Sequence, residues 1–86
     1  MTSMTGQVVV RFWAAAREAA GCAEESVPAG PLPAVLACAV ERRPGLGRVL
    51  PVCSVLVDGQ AARRADTAAV VPAGAVVEVL PPFAGG

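Results

Sequence analysis

Val8-Val9-Val10-Arg11-Phe12-Trp13 (VVVRFW) is the stretch from which the fold is read. Along an extended chain Val8, Val10 and Phe12 point one way, and Val9, Arg11 and Trp13 the other. Period two with β-branched and aromatic residues argues a strand over Gln7–Trp13. Ala14–Ala20 (AAAREAA) follows as a short helical turn, and Gly21 supplies its stop. Glu25–Pro28 predicts a second strand, so the chain opens as a hairpin with a bulky connection.

Working outward, Pro31 and Pro33 introduce PAVLACAVERR, where proline is tolerated in a first helical turn because its missing N–H would be unbonded there. Leu32, Val35, Leu36, Ala39 and Val40 recur at helical spacing on one face. Arg42 and Arg43 suit the negative end of the helix dipole, and Pro44-Gly45 ends the helix. GLGRVLP reads as a loop, and Val52–Val57 as a third strand. Asp58-Gly59 is a hairpin signal, with Gln60–Arg64 returning as a short strand. Asp66 to Val71 is ambiguous, a 3₁₀ turn being one reading. Pro72-Ala73-Gly74 makes a turn, and Ala75–Leu80 is the final strand. One amphipathic helix can cover one face of the resulting sheet. The expected fold class is therefore α+β, a β-grasp (ubiquitin-like) arrangement of four to five strands on one main helix. Its first and last strands lie parallel at the centre, since the chain between them is long enough for a crossover. Residues 1–86 form one domain, with 1–6 as a loose leader and 81–86 as an extended tail.

Composition excludes several functions. The chain has 86 residues, enough for one modest core and too few for a walled active-site cleft. Seven arginines balance seven acids, and no basic block or set of stacking aromatics is present, so nucleic-acid binding is disfavoured. No apolar run reaches the roughly 20 residues of a membrane span. MTSMTGQ lacks the pattern of a signal peptide, Met4 is an alternative start, and a cytoplasmic location is expected. Cys22, Cys38 and Cys53 are odd in number and form no C-x-x-C pair, so neither a disulfide framework nor a zinc site is indicated. At least two are expected to be buried as small apolar groups, and Cys22, in a turn, is the one candidate for a reactive thiol. Histidine is absent, which removes the commonest general base and metal ligand. Chemistry must then come from carboxylates, thiols or chain ends.

The ending Pro81-Pro82-Phe83-Ala84-Gly85-Gly86 is the strongest candidate. Two prolines favour an extended stalk, and Ala-Gly-Gly adds almost no side-chain bulk, so backbone alone could thread a narrow channel. The Gly86 carboxylate would arrive first. Once activated as a mixed anhydride with AMP, it could be attacked by a thiol or sulfide.

These features resemble the MoaD/ThiS sulfur carrier family. VVVRFWAAAREAAG carries its A-x-x-R-E-x-x-G pattern at Ala14, Arg17, Glu18 and Gly21; CSVLVDGQ resembles its third strand and hairpin; and VPAGAVVEVLPPFAGG resembles its ending. The Pro-Pro step resembles the molybdopterin synthase small subunit, MoaD, more than ThiS. Ala75 departs from the family's usual Asp, and the absence of lysine leaves any such contact to arginine. The resemblance implies a sulfur carrier of molybdenum cofactor biosynthesis. A MoeB/E1-like enzyme would adenylate Gly86 using ATP, with no cofactor bound stably by the carrier itself. A sulfur donor protein would convert Gly86 to a thiocarboxylate, and a MoaE-like large synthase subunit would receive the tail. Thiazole or cysteine synthesis, protein modification, and a binding module with an incidental Gly-Gly end are the alternatives.

Alternation also defines a docking face. Val9, Arg11 and Trp13 on the first strand, and Val76, Glu78 and Leu80 on the last, point away from the helix. Trp13 and Leu80 then form an exposed patch at the root of the tail, a placement that the resemblance also implies, and Arg11 and Glu78 could pair across the strands. The partner-binding set is Trp13, Leu80, Pro81, Pro82, Phe83 and Ala84, with Gly85 and Gly86 as the reacting end. Arg17 and Glu18, and Arg63 and Arg64, read as solvated charges, with an acidic partner as the alternative for the second pair.

Overall fold

Alternating apolar strands at both ends of the chain meet in the middle of one sheet. The computed structural model describes residues 6–82. Strands β1 (Gln7–Phe12) and β2 (Glu24–Pro28) flank helix α1 (Ala14–Ala20). Strand β3 (Gly30–Pro31) leads into α2 (Leu32–Arg42). Strands β4 (Ser54–Val57), β5 (Gln60–Ala62), β6 (Val70–Val71) and β7 (Val76–Leu80) complete the order. The main sheet runs β2-β1-β7-β4-β5, with β1 and β7 parallel and its other neighbours antiparallel. This is the β-grasp fold.

Parity decides the core. Val8, Val10, Phe12, Val77, Val79, Val27 and Val55 are buried on the side that faces α2, which contributes Leu32, Val35, Leu36 and Ala39. Each of the Val, Leu and Phe side chains withdraws apolar surface worth roughly 1.5–3 kcal/mol from water. Gly21 closes α1 in the left-handed conformation, its N–H donating to the Arg17 carbonyl at 2.9 Å. Asp58 and Gly59, with φ of 47° and 84°, form the turn between β4 and β5.

Three readings need correction. GLGRVLP is not an open loop: Pro44–Arg48 and Leu50–Val52 are 3₁₀ helices. Leu46 supplies the reason, since it is fully buried and draws the segment onto α1 and α2. The third strand starts at Ser54 rather than Val52, whose side chain is exposed in the second 3₁₀ turn. The ambiguous stretch contains β6, which pairs with β3 through Gly30↔Val71 and Pro31↔Val70, preceded by a turn in which the Asp66 carboxylate accepts from the Ala68 N–H at 2.9 Å. Two-residue strands carry no periodicity, so their pairing shows only in three dimensions. Of the expected leader, Gly6 is described, and its carbonyl accepts a hydrogen bond from the Ala29 N–H. Of the three thiols, Cys53 alone is buried; Cys22 and Cys38 are partly covered, short of the expected two.

Glu25 lies on the helix side of β2, opposite Val10. Arg43 Nε donates to its carboxylate at 2.8 Å, and Arg42 approaches at 3.5 Å. Arg42 also donates to the Ser26 carbonyl at 2.7 Å, so the end of α2 is tied to β2. Arg43, then Arg42, hold the Glu25 carboxyl below its ordinary value of 4.5, against a smaller opposing effect of burial.

Two outcomes follow from these contacts. A Cβ at Gly45 would fall on the Ala19 carbonyl oxygen, whereas one at Gly47 would only touch Val40 at 3.4 Å. Denaturant unfolding should therefore show Gly45→Ala destabilised by about 1–3 kcal/mol and Gly47→Ala by clearly less. Because Glu25 is lowered in the folded state, its stabilising contribution is complete above pH 4.5 and disappears as pH falls through the lowered value. Glu25→Gln should lower the melting temperature near neutrality and flatten its decline on the acid side.

Candidate functional site

The site is built at the edge of the sheet where β1 and β7 both end. Phe12 is level with Val79, Val79 with Val55, and Val55 with Ala62. One step further along the sheet lie Trp13, Leu80, Ser54 and Arg63; Ser54 and Leu80 are still paired, and the Trp13 N–H still donates to the Val79 carbonyl at 3.2 Å. Trp13 and Arg63 thus stand at the two ends of a row whose middle is the root of the tail.

Trp13 is held there by an abrupt change of direction. It is extended, at φ −116° and ψ 147°, and α1 begins at the next residue with Ala14 at φ 48°. The left-handed turn at Ala14 costs roughly 1 kcal/mol for a residue with a Cβ, and it leaves no loop between strand and helix. The indole is 43% exposed, and its Nε1–H donates to Glu78 Oε2 at 3.2 Å. Glu78 is the outward residue one step back on β7, so the bond fixes the ring over the outer face of the sheet.

The expected Arg11–Glu78 pair does not form. Arg11 and Glu78 are Cα partners, but Arg11 Nε approaches Glu24 Oε1 at 3.5 Å on the antiparallel side, and Glu78 is taken by the indole. Both members of the Arg11–Glu24 pair are about half exposed, so it contributes little. An open depression of about 240 Å³ beside it is lined by Arg11, Phe12, Trp13, Arg17, Ala23 and Glu24.

Leu80 is half-buried, Pro81 is buried and Pro82 is exposed. Of the expected contact set, the buried Pro81 offers little side-chain surface in the free chain. Phe83, Ala84, Gly85 and Gly86 lie outside the described residues. The structure brings Trp13 and Leu80 to the tail root, as the alternation requires.

On the other flank, β4 and β5 border an open depression of about 420 Å³ lined in part by Cys53, Ser54, Ala62, Arg63 and Arg64. Burial pushes the Cys53 thiol up, partly offset by the nearby charge of Arg64. That thiol donates to the Val49 carbonyl at 3.1 Å, so it is a packed, protonated group rather than a nucleophile. Among the described residues no three His, Cys, Asp or Glu side chains are grouped to hold a metal, and no helix is long and apolar enough to cross a membrane.

A sequence profile described as the ThiS family matches residues 10–86. No curated protein matches the chain. Among solved structures, SAMP1 from Haloferax volcanii superposes with a TM-score of 0.81 at 25% identity, over 94% of this chain and 100% of that one. The complex of subunits 1 and 2 of molybdopterin-converting factor from Helicobacter pylori 26695 contains a chain with a TM-score of 0.70 at 25% identity, over 93% of this chain and 99% of that one. The HVO 2177 protein of Haloferax volcanii gives 0.70 at 28% identity, over 94% and 87%.

The contrast between Phe12 and Trp13 is measurable. Phe12→Ala, in the core, should cost about 3–5 kcal/mol in urea unfolding, and Trp13→Ala less than half of that because much of its ring is already in water.

Proposed function

This chain belongs to the ThiS family, among the ThiS/MoaD-like β-grasp sulfur carriers, and from that premise we propose that it is the sulfur-donating small subunit of a molybdopterin synthase. One observation carries the reading. The Pro81-Pro82-Phe83-Ala84-Gly85-Gly86 segment leaves the central strand β7 directly, beside an exposed, oriented tryptophan. A partner that takes in the segment meets Trp13 and Leu80 at its mouth. Large aromatic anchors flanked by apolar groups are where binding energy concentrates.

The chemistry asks nothing of the domain's own side chains. ATP and the Gly86 carboxylate give an acyl adenylate and pyrophosphate. A sulfide then forms a C–S bond at the carbonyl as the C–O bond to AMP breaks, leaving a thiocarboxylate. ATP belongs to the MoeB/E1-like activating enzyme and the sulfur to its donor protein. In the synthase, the MoaE-like large subunit holds the pterin precursor and supplies the catalytic cations. The Helicobacter pylori complex, in which subunit 1 is found with subunit 2, supports that partner.

The likeness to SAMP1, a small archaeal modifier protein, favours a second reading in which the same activated Gly86 is joined to other proteins. Both readings share the adenylation step and part at the acceptor.

The test is an incubation of the chain with ATP, the activating enzyme and sulfide. Intact mass should rise by about 16 Da, one oxygen replaced by sulfur at an activated acyl carbon. The product should then sulfurate the pterin precursor when mixed with the large subunit. An unchanged mass rejects the carrier reading. A thiocarboxylate that is inert in the synthase, with conjugates on other proteins, selects the modifier reading. In the same assay Trp13→Ala should weaken binding to the large subunit by about tenfold or more, a hot-spot loss of at least 1.4 kcal/mol, with its fold intact.

A further inference from the structure

Glu78 is placed unlike any other acid of the chain. Of the seven acidic side chains, only Glu25 and Glu78 are partly buried; the others are exposed. Glu25 is held by Arg42 and Arg43. Glu78 has no ion-pair partner among the described residues, and the donor that reaches it is a neutral one, the Trp13 Nε1–H at 3.2 Å. The cation level with it in register, Arg11, is turned to Glu24.

The surroundings of Glu78 are otherwise apolar. It lies on β7, the middle strand of the main sheet, on the face away from α2. Leu56 is level with it on β4, and Val76 and Leu80 flank it along β7 on the same face. All three are partly buried. Val9, level with Val76 on β1, extends the patch. A carboxylate is tolerated in such a field while water still reaches it.

Covering the indole removes that water. Glu78 Oε2 is within hydrogen-bond distance of the ring nitrogen, so a surface that buries Trp13 also dries the carboxylate. The indole N–H serves a single acceptor site, and the two carboxylate oxygens offer about four. An ionised carboxylate dried without a counter-charge opposes association strongly.

We infer that the protein surface covering Trp13 is apolar and carries one cationic side chain aimed at the Glu78 carboxylate. The inference rests on the proposed function, which sets the large subunit at that face. Glu78 then acts as a specificity residue, because an apolar surface of the same shape without the cation is rejected by the dried charge. Arginine suits the role, since its planar fork bonds a carboxylate and is weakly hydrated.

The experiment is titration calorimetry of the full chain with the large subunit, for wild type, Glu78→Gln and Glu78→Val. The sign of the change decides. With a cation opposite, both variants should bind about tenfold or more weaker, because the partner's charge is left buried and unpaired. An unchanged or tighter Kd in a folded variant shows that the carboxylate meets no cation; it overturns the inference and leaves the carrier function standing. Glu78→Gln keeps an oxygen for the indole and Glu78→Val suits a strand, so if one misfolds the other decides. In an Arg11→Ala background the loss on Glu78→Gln should persist. If it vanishes, Arg11 rather than the partner neutralises Glu78, and the inference falls. The chain has one tryptophan, so fluorotryptophan labelling gives one fluorine resonance. Its solvent isotope shift should disappear on binding, and a shift that persists shows an indole left in water and overturns the inference. A wild-type chain that does not bind the large subunit rejects the synthase reading, and the inference with it.

Discussion

The parallel pairing of β1 with β7 governs the molecule. Val9, Val10, Arg11 and Phe12 run alongside Val76, Val77, Glu78 and Val79 in the same direction. Parallel neighbours cannot be joined by a tight turn, so the chain between them must cross over, and α2 is the main element of that crossing. The helix covers the face where Val8, Val10, Phe12, Val77 and Val79 are sealed from water. Because both strands point the same way, they finish at the same edge. The end of the first strand, Trp13, therefore stands beside the end of the last, Leu80, although 67 positions separate them in the sequence.

That geometry divides the labour between body and tail. The body has no histidine, and among its described residues it has neither a metal cluster nor a buried charged group. What it shows is placement: an indole oriented at the end of β1, a buried Pro81 directly after β7, and a Glu25 carboxylate held by two arginines. Glu25 holds the end of α2 to β2 on the helix side, and the Trp13–Glu78 bond orders the outer face. Net charge is zero, and among the described residues Arg17, Arg48, Arg63 and Arg64 are exposed without an ion-pair partner.

The parts of the fold legible in the sequence were those with a period. Alternation in VVVRFW and VVEVL gave both central strands and their inward faces, and the 3.6-residue spacing of Leu32, Val35, Leu36 and Ala39 gave the helix. Segments too short for a period were missed: β3, β6 and the two 3₁₀ turns, where a single buried Leu46 sets the path. The row Trp13–Leu80–Ser54–Arg63 needs three strand registers at once, so alternation places Trp13 and Leu80 together but not Arg63 in line with them; the reading of Arg63 and Arg64 as solvated charges agrees with their exposure. Arg11 illustrates the limit of pairing arguments. Two acids flank it in register, and only coordinates show that Glu24 takes it while the indole takes Glu78.

Hydrogen–deuterium exchange on the chain, free and bound to the large subunit, tests most directly whether function is concentrated at the edge where the parallel strands end. Protection should be gained at the backbone amides of Trp13, Leu80, Ser54 and Arg63 and leave the Asp58-Gly59 and Ala73-Gly74 turns at the opposite edge unchanged. Protection centred on those two turns, in a complex shown to be saturated, would contradict the account.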